Sequence, residues 1–280
     1  MRALAETLMK GRNQAMMVVV VAAMLPLLYW VSAAGVALIT LRRGTSEGVK
    51  LLCWAMLPSL FWVLSGDPSV VMVILGTFVL AVLLRQTVSW QKVLMATLPL
   101  GVVCSLLLDA GLAPLLDQIA ASVQQLASER GAVFQTWSEA QVRNLLLGVV
   151  SAFQVASMLG CLMLARSWQA ALYNPGGFRQ EFHQIRLPVV MAVILGLVLL
   201  ASKIFGIDLS RWFTLILLPL VVAGLALVHA LVSKRGLHKG WLVATYASIV
   251  FAAPYMVTLL VILACIDSLM DLRSRLPAKN

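Results

Sequence analysis

QAMMVVVVAAMLPLLYWVSAAGVALITL, residues 14–41, is the stretch that decides the class of this protein, because its 28 residues carry no charged side chain. An apolar segment of about 17–25 residues matches a hydrocarbon layer roughly 30 Å thick. Uncharged stretches recur to the end of the chain, which is 61% hydrophobic and only 11% charged, whereas an ordinary soluble domain is about 25% charged. The sequence therefore predicts an all-α, polytopic transmembrane helical bundle.

The breaks between apolar segments predict how the chain is divided. Pro26 and Pro254 interrupt long apolar runs, and Gly66-Asp67-Pro68 is a turn signal. We expect a single integral membrane domain over residues 1–280. We expect ten segments, with hairpins at both prolines. The alternative is eight segments, in which 14–41 and 241–266 are each one tilted helix, but this would place the basic N-terminus and tail outside. The ten segments are 14–25, 27–41, 49–64, 68–84, 93–108, 144–165, 187–202, 212–232, 241–253 and 255–266.

Basic residues predict the orientation of the ten segments. If the N-terminus is cytoplasmic, 17 of the 21 basic residues fall in cytoplasmic loops, against four on the other side. Short cytoplasmic loops are normally enriched in Lys and Arg. We therefore expect a basic cytoplasmic N-terminus over residues 1–13, a cytoplasmic tail over residues 267–280 and a bacterial inner-membrane location. The net charge of +10 then reflects topology and anionic lipid headgroups, and no nucleic-acid partner is expected.

One segment outside the predicted spans has an amphipathic pattern. Apolar side chains recur at helical spacing from Leu112 to Leu126, while Asp117, Gln118 and Gln125 take the opposite face. We expect an extracytoplasmic connector over residues 112–143, with a surface helix at 112–128 that either packs over the bundle or forms a lid. Ser138 and Gln141 have the spacing of a capping box, which predicts a new helix that runs on into the sixth apolar segment.

Motifs for covalent or metal chemistry are not evident. The four cysteines lie in four different apolar segments without CxxC spacing. No metal site, cofactor or catalytic residue is therefore predicted, and an enzyme is not expected. Acidic residues fall in loops or at segment ends, which argues against a proton-driven carrier or a cation channel.

A stripe of small residues marks the sixth apolar segment. Gly148, Ala152, Ala156 and Gly160 recur every four residues and share one helix face. Small residues allow helix backbones to approach closely in lipid. The stripe predicts tight packing, against another helix of this chain or against a second protein.

A cytoplasmic loop that we call the elbow, residues 166–188, is longer and more patterned than a simple connector. Aromatic and basic residues flank a forced turn, which suits either anchoring at the lipid headgroups or docking of a partner. In the tail, Asp267 and Asp271 lie one helical turn apart and could pair with Arg273, Arg275 or basic residues of neighbouring loops. The candidate docking residues are Arg166, Trp168, Tyr173, Asn174, Pro175, Gly176, Gly177, Phe178, Glu181, His183 and Arg186.

The elbow sequence ARSWQAALYNPGGFRQEFHQIRLP (165–188) and the ending IDSLMDLRSR (266–275) resemble the YybS-like family of bacterial integral membrane proteins. The early Leu25-Pro26 break and the turn at Arg43-Gly44-Thr45-Ser46-Glu47-Gly48 are similar to features of a broader group. That group includes the substrate-binding S components of energy-coupling-factor vitamin transporters and the MreD-like cell-shape proteins. The YybS-like resemblance implies a kind of membrane protein and no particular activity.

Three functions remain open from the sequence. An S-component-like subunit would bind a small metabolite near the outer segment ends and would partner a transporter energising module; its candidate pocket residues are Tyr29, Trp30, Trp62, Asp67 and Asp109. Amphipathic aromatic and polar side chains of this kind suit a small-ligand pocket. An MreD-like scaffold would recruit envelope-assembly or cytoplasmic proteins through the elbow and the tail. A lipid-handling protein would instead use the amphipathic outer helix.

Overall fold

A computed structural model describes residues 2–130 and 138–275, and its regular structure there is entirely helical. The predicted all-α fold class is confirmed. Residues 131–137, in the predicted connector, and 276–280, in the predicted tail, lie outside the described part. The helices are α1 (Arg2–Lys10), α2 (Arg12–Met24), α3 (Tyr29–Arg43), α4 (Thr45–Leu64), α5 (Ser69–Thr87), α6 (Trp90–Arg130), α7 (Glu139–Tyr173), α8 (Gly177–Gln184), α9 (Val189–Phe205), α10 (Ser210–Lys234), α11 (Gly240–Phe251), α12 (Ala253–Met270) and α13 (Leu272–Arg275).

The ten predicted apolar segments correspond to α2–α7 and α9–α12, but they differ in length. Among the described residues, six helices are long and apolar enough to cross a membrane, and a seventh crossing results if α8 and α9, which meet at a 54° bend, form one broken span. The chain is therefore a multi-pass membrane protein. The helices α2, α3 and α11 have 13, 15 and 12 residues. At about 1.5 Å per residue they fall short of a hydrocarbon layer roughly 30 Å thick.

The helices divide into two compact units. The first comprises Met1–Phe178 and Ser210–Leu215, and the second comprises Arg179–Leu209 and Ile216–Asn280. In the first unit α3 lies at the centre and packs against α2, α4, α5 and α7. Every residue of α3 from Val31 to Leu41 is buried. The buried Thr40 hydroxyl donates to the Val36 carbonyl at 2.8 Å, so that its polar group is satisfied within the helix.

Basic side chains identify α2 and α3 as a hairpin. The Arg43 guanidinium at the end of α3 donates to the Met9 carbonyl, just before α2, at 2.7 Å. Arg12 at the start of α2 and Arg43 also line one cleft. The two helices therefore leave and return at the same end, with their turn at Pro26, and the predicted hairpin there is confirmed. Arg85, at the end of α5, donates to the Leu41 carbonyl at 2.5 Å and belongs to the same end of this unit.

The second unit contains a corresponding hairpin at Pro254. Lys234, at the end of α10, donates to the Arg273 carbonyl, after α12, at 2.7 Å. Because α11 begins six residues after Lys234 and α12 ends just before Arg273, the pair α11–α12 starts and finishes at one end of the unit. The two helices pack on each other and meet at Ala252. The hairpin predicted at Pro254 is therefore confirmed.

The predicted amphipathic connector is organised differently from expectation. Residues 112–128 do not form a separate surface helix but continue α6, which has 41 residues and includes Pro99 and Pro114. Only part of the predicted apolar face packs: Leu116 and Ala120 are buried, whereas Leu115 and Ile119 are exposed. The predicted capping box is present, because Ser138 accepts from the Gln141 backbone and Gln141 accepts from the Ser138 backbone. It starts α7, which runs without a break to Tyr173.

Candidate functional site

The five predicted pocket residues are largely engaged by local backbone or by charged partners. The indole N–H of Trp30 donates to the Leu27 carbonyl at 2.8 Å, and that of Trp62 donates to the Ala23 carbonyl at 3.1 Å. Trp62 thereby fastens the far end of α4 to the turn of the α2–α3 hairpin. These contacts satisfy indole donors that would be costly to bury alone in an apolar environment.

The two remaining pocket residues before α6 lie near each other. Asp67 accepts from the Ser69 backbone N–H at 2.9 Å, at the start of α5, and it interacts electrostatically with Tyr29. A carboxylate near the first turn of a helix is favourable because unpaired N–H groups point towards it. Asp67 is exposed and Tyr29 half-buried. The pair thus has a local structural role where α3 and α5 begin.

Asp109 belongs to a second group, which we call the charged cluster: Asp109, Asp117, Arg143, Arg211 and Ser105. The two carboxylate oxygens of Asp109 accept hydrogen bonds from Arg143 and Arg211, both at 2.8 Å. Arg143 also donates to Asp117 at 2.5 Å, and Arg211 donates to the Ser105 hydroxyl at 2.8 Å. The side chains of Asp109, Arg143 and Arg211 are 27%, 24% and 18% exposed. Two arginines and two aspartates make the cluster neutral, which lowers the cost of placing it among apolar helices.

A close backbone contact positions Arg211 in that cluster. A Cβ atom on Gly148 would lie 2.3 Å from the Arg211 carbonyl oxygen, so only glycine allows α7 to approach the first turn of α10 at this point. The small-residue stripe therefore provides internal packing at Gly148, and Ala152 is buried as well. Gly160, at the other end of the stripe, is exposed, and a Cβ atom added there would meet no other atom within 4 Å. The stripe is thus a packing surface at one end only.

The elbow is an ordered succession of elements. Its first eight residues complete α7, Asn174 to Gly176 form a turn in which Gly176 has φ +87°, and α8 follows. At the end of α7 the Arg42 guanidinium lies 4.0 Å above the Tyr173 ring, and Phe178 packs on Trp90 with ring centroids 6.1 Å apart. These contacts fix the start of the elbow to the first unit.

Other candidate docking residues differ in their accessibility. Trp168 is only 3% exposed, so it is a packing residue of α7 and cannot anchor the elbow at the headgroups as expected. Arg166 donates to Gln169 within the same helix at 3.2 Å. Asn174 and Pro175 at the turn are exposed, whereas Gly177 is buried and Glu181 is half-buried. The accessible part of the elbow is therefore the turn and the polar face of α8.

The tail holds the second half of the elbow through Arg273. Its guanidinium donates to the His183 carbonyl, to the Ile185 carbonyl at 2.6 Å, and to Asp267 at 3.0 Å. Residues 185–188 are not helical, and their carbonyls therefore need partners outside a helix. Asp267 is almost completely buried. Burial lowers the pKa of the Arg273 guanidinium, and the charge and hydrogen bond of the Asp267 carboxylate oppose this effect.

A second arginine completes this contact, which we call the tail latch: Arg186, Arg273, Asp267, Asp271 and Lys234. Arg186 donates to the Ser268 carbonyl at 3.2 Å and pairs with Asp271 at 3.0 Å. Desolvation alone would raise the pKa of Asp271, but the hydrogen bond and charge of Arg186 hold that pKa below its ordinary value. The predicted pairing of the tail aspartates with basic residues is confirmed. Asp271 differs from expectation only in lying beyond the end of α12, at φ 48°, and so not on the helical face of Asp267.

An aromatic group lies beside the latch in the second unit. His229 of α10 is 2.9 Å from the Tyr246 hydroxyl, and the Phe182 ring meets the His229 ring edge-on at a centroid distance of 5.2 Å. In the sequence, His229 is an isolated polar residue within an apolar stretch. Its partners are 17 and 47 residues away along the chain, so no local pattern could have identified them.

Titratable residues do not assemble a metal centre in the part of the chain that the structure describes: no three His, Cys, Asp or Glu side chains are grouped suitably. Cys104 and Cys161 are buried as free thiols. No protein-family model, curated protein or solved structure matches this chain. The resemblance to YybS-like proteins therefore stays a prediction.

Proposed function

We propose that this multi-pass membrane protein is a non-catalytic scaffold that recruits a protein partner through the elbow. The tail latch is the observation that carries the proposal. Arg273 and Arg186 use charge-assisted hydrogen bonds to hold residues 183–186 in one geometry. A surface that is ordered before binding loses less conformational entropy when a partner docks.

The accessible face of α8 provides the surface for the partner. Arg179 and Gln180 are exposed on it, and Arg179 donates to the Ser233 hydroxyl at 2.9 Å. Gln184, one turn after Gln180, is exposed as well. The short polar helix α8 has a fixed orientation, and residues 185–188 after it are held by arginine hydrogen bonds. Such an ordered surface suits docking better than a flexible connector does.

Photo-crosslinking in native membranes tests the scaffold. A benzoylphenylalanine at Gln180 is expected to capture one stoichiometric protein. Arg273→Ala should reduce that capture several-fold because the elbow loses its support, whereas Arg275→Ala, which alters an exposed tail arginine, should not. A crosslinker at Val190, an exposed apolar position of α9, provides the lipid-facing control. Capture of lipids and random neighbours alone at Gln180 would contradict the proposal.

The charged cluster favours a second candidate, an S-component-like subunit that binds a small anionic metabolite. Arg143 and Arg211 are partly accessible beside Asp109, and a ligand carboxylate could accept the same guanidinium hydrogen bonds. A metabolite panel, read by native mass spectrometry and thermal shift, should then yield one ligand. Recovery of an ATP-binding cassette pair in a pull-down would favour this candidate, and recovery of envelope-assembly proteins would favour the scaffold. No ligand and no thermal shift would sink the second candidate alone.

A further inference from the structure

A small open cleft in the first unit has a polar end and an apolar end. Arg12 of α2, Arg43 of α3 and Lys50 of α4 line it together with Glu47. The three cations and one carboxylate give the polar end a net charge of +2. Helical spacing explains why the side chains converge, because Glu47 and Lys50 share one face of α4 with Leu51 and Trp54 at i, i+3, i+4 and i+7.

The cationic side chains at the polar end have more hydrogen-bond donors than their contacts within the protein use. Glu47 accepts from Lys50 at 2.5 Å, and Arg43 donates to the Met9 carbonyl at 2.7 Å. In the described part of the chain, Arg12 has no hydrogen-bond partner of its own. Arg12 is also the first residue of α2, and Glu47 lies in the first turn of α4. The cations together with these two helix starts favour an anion at this place.

The apolar end distinguishes a lipid from a small ion. Met16 of α2 and Leu51 of α4 line it, and Trp54, which is 44% exposed, forms one wall. The cleft lies at the basic end of the α2–α3 hairpin, and we infer that it faces the region where lipid headgroups meet the start of the acyl chains. Trp is typical of this interface.

We propose that this cleft is a binding site for one anionic phospholipid, with the phosphate between Arg12, Arg43 and Lys50 and an acyl chain along Met16 and Trp54. An inorganic phosphate ion would use the same cations but would gain nothing from the apolar wall. A zwitterionic headgroup carries a compensating cation, which the net charge of +2 disfavours. The site is independent of the elbow, so its test does not depend on the scaffold proposal.

Native mass spectrometry of the full chain in detergent tests the site, with dioctanoyl-phosphatidylglycerol, dioctanoyl-phosphatidylcholine and inorganic phosphate as probes. One phosphatidylglycerol is expected to be retained at concentrations at which the other two are not. Removing two cations with Arg12→Gln and Lys50→Gln should weaken binding about ten- to thirtyfold, since each basic residue at an anionic membrane surface contributes roughly a factor of five. Lys92→Gln with Lys239→Gln, two exposed lysines outside the cleft, is the matched control and should change nothing.

A variant that binds the lipid more tightly shows that a loss of binding in the other variant is not caused by misfolding. Glu47→Gln removes the one carboxylate and releases Lys50, so phosphatidylglycerol should bind several-fold more tightly. Equal retention of phosphatidylcholine and phosphatidylglycerol would overturn the proposal, as would undiminished binding by the Arg12→Gln, Lys50→Gln variant. Equal retention of inorganic phosphate would overturn the lipid assignment as well.

Discussion

Gly148 is the residue at which helix packing and the charged cluster meet. Its missing side chain lets α7 approach the Arg211 carbonyl, and Arg211 in turn reaches Asp109 and Ser105. Backbone atoms cannot rotate out of the way as a flexible side chain can. The cost of a larger residue at 148 therefore falls on the helix positions themselves.

Gly148→Ala is expected to destabilise the protein by about 1–3 kcal/mol, the usual cost of overpacking a close contact. Gly160→Ala on the same stripe is the control, because no atom lies within 4 Å of the added Cβ. It should be neutral or stabilising by up to about 1 kcal/mol, since alanine favours a helix over glycine. Thermal unfolding in detergent compares the two. Equal melting temperatures would show that α7 and α10 do not approach as described.

Single substitutions of Asp109 and Asp117 test the roles of these residues in the charged cluster. Asp109→Asn leaves the Arg211 guanidinium without a carboxylate and leaves Arg143 with Asp117 alone. It is expected to cost about 1.5–3 kcal/mol, the range for hydrogen bonds to charged groups. Asp117→Asn should cost less than about 1 kcal/mol, because the Asp117 side chain is 58% exposed and exposed pairs contribute little. The melting temperatures of the two variants give the comparison. A larger loss for Asp117→Asn would contradict the assigned roles.

At the scale of elements, the break between α8 and α9 is the feature that needs explanation. Four residues, 185–188, leave the helix, and the two helices meet at 54°. Pro188 at the start of α9 cannot donate a backbone hydrogen bond. On the other side of the break, the Arg273 guanidinium donates hydrogen bonds to the His183 and Ile185 carbonyls. The bend is thus stabilised by the tail, more than 80 residues later in the chain.

Amide hydrogen exchange can test whether Arg273 stabilises the bend between α8 and α9. Arg273→Gln should increase amide exchange at residues 183–187 by tenfold or more, because losing one charged hydrogen-bond partner costs about 1.5–3 kcal/mol of local stability. Arg275→Gln, at an exposed position, should leave exchange there unchanged. Peptides from α3 serve as an internal reference, since that helix is in the other unit. Unchanged exchange in Arg273→Gln would mean that the elbow keeps its geometry without the tail.

At the scale of the whole molecule, contacts within the second unit fix which loops share a side. The elbow contacts the tail through Arg273, and Lys234 contacts the tail as well. A chain that returns to the same side crosses the membrane an even number of times, and we expect α9 and α10 to provide the outward and the return passage between the elbow and Lys234. The hairpin α11–α12 then begins and ends on that same side.

Cysteine labelling of membrane vesicles tests this arrangement. In a background without the native cysteines, Gln180→Cys and Leu237→Cys should react with an impermeant maleimide in the same vesicle orientation. Ile207→Cys, between α9 and α10, should react only in the opposite one. The charge distribution further predicts that the side shared by Gln180 and Leu237 is cytoplasmic. Reaction of Gln180→Cys and Leu237→Cys from opposite sides would contradict an outward and a return passage through α9 and α10.

The membrane class, the positions of the apolar segments and the hairpins at Pro26 and Pro254 could be predicted from the sequence. Hydropathy and proline act locally, so each segment carries its own signal. The capping box at Ser138 was predictable for the same reason. Even the pairing of the tail aspartates with arginines followed from their charge.

Contacts between residues far apart in the chain could not be predicted from the sequence. Asp109 was expected to end a segment, yet α6 continues past it, and its carboxylate pairs with Arg143 and Arg211, 34 and 102 residues away. Likewise, nothing local in the elbow shows that Arg273 would hold it. A charged side chain is tolerated among apolar helices only if an opposite charge or a hydrogen-bonding group lies next to it. Long-range packing determines whether such a partner is close in space.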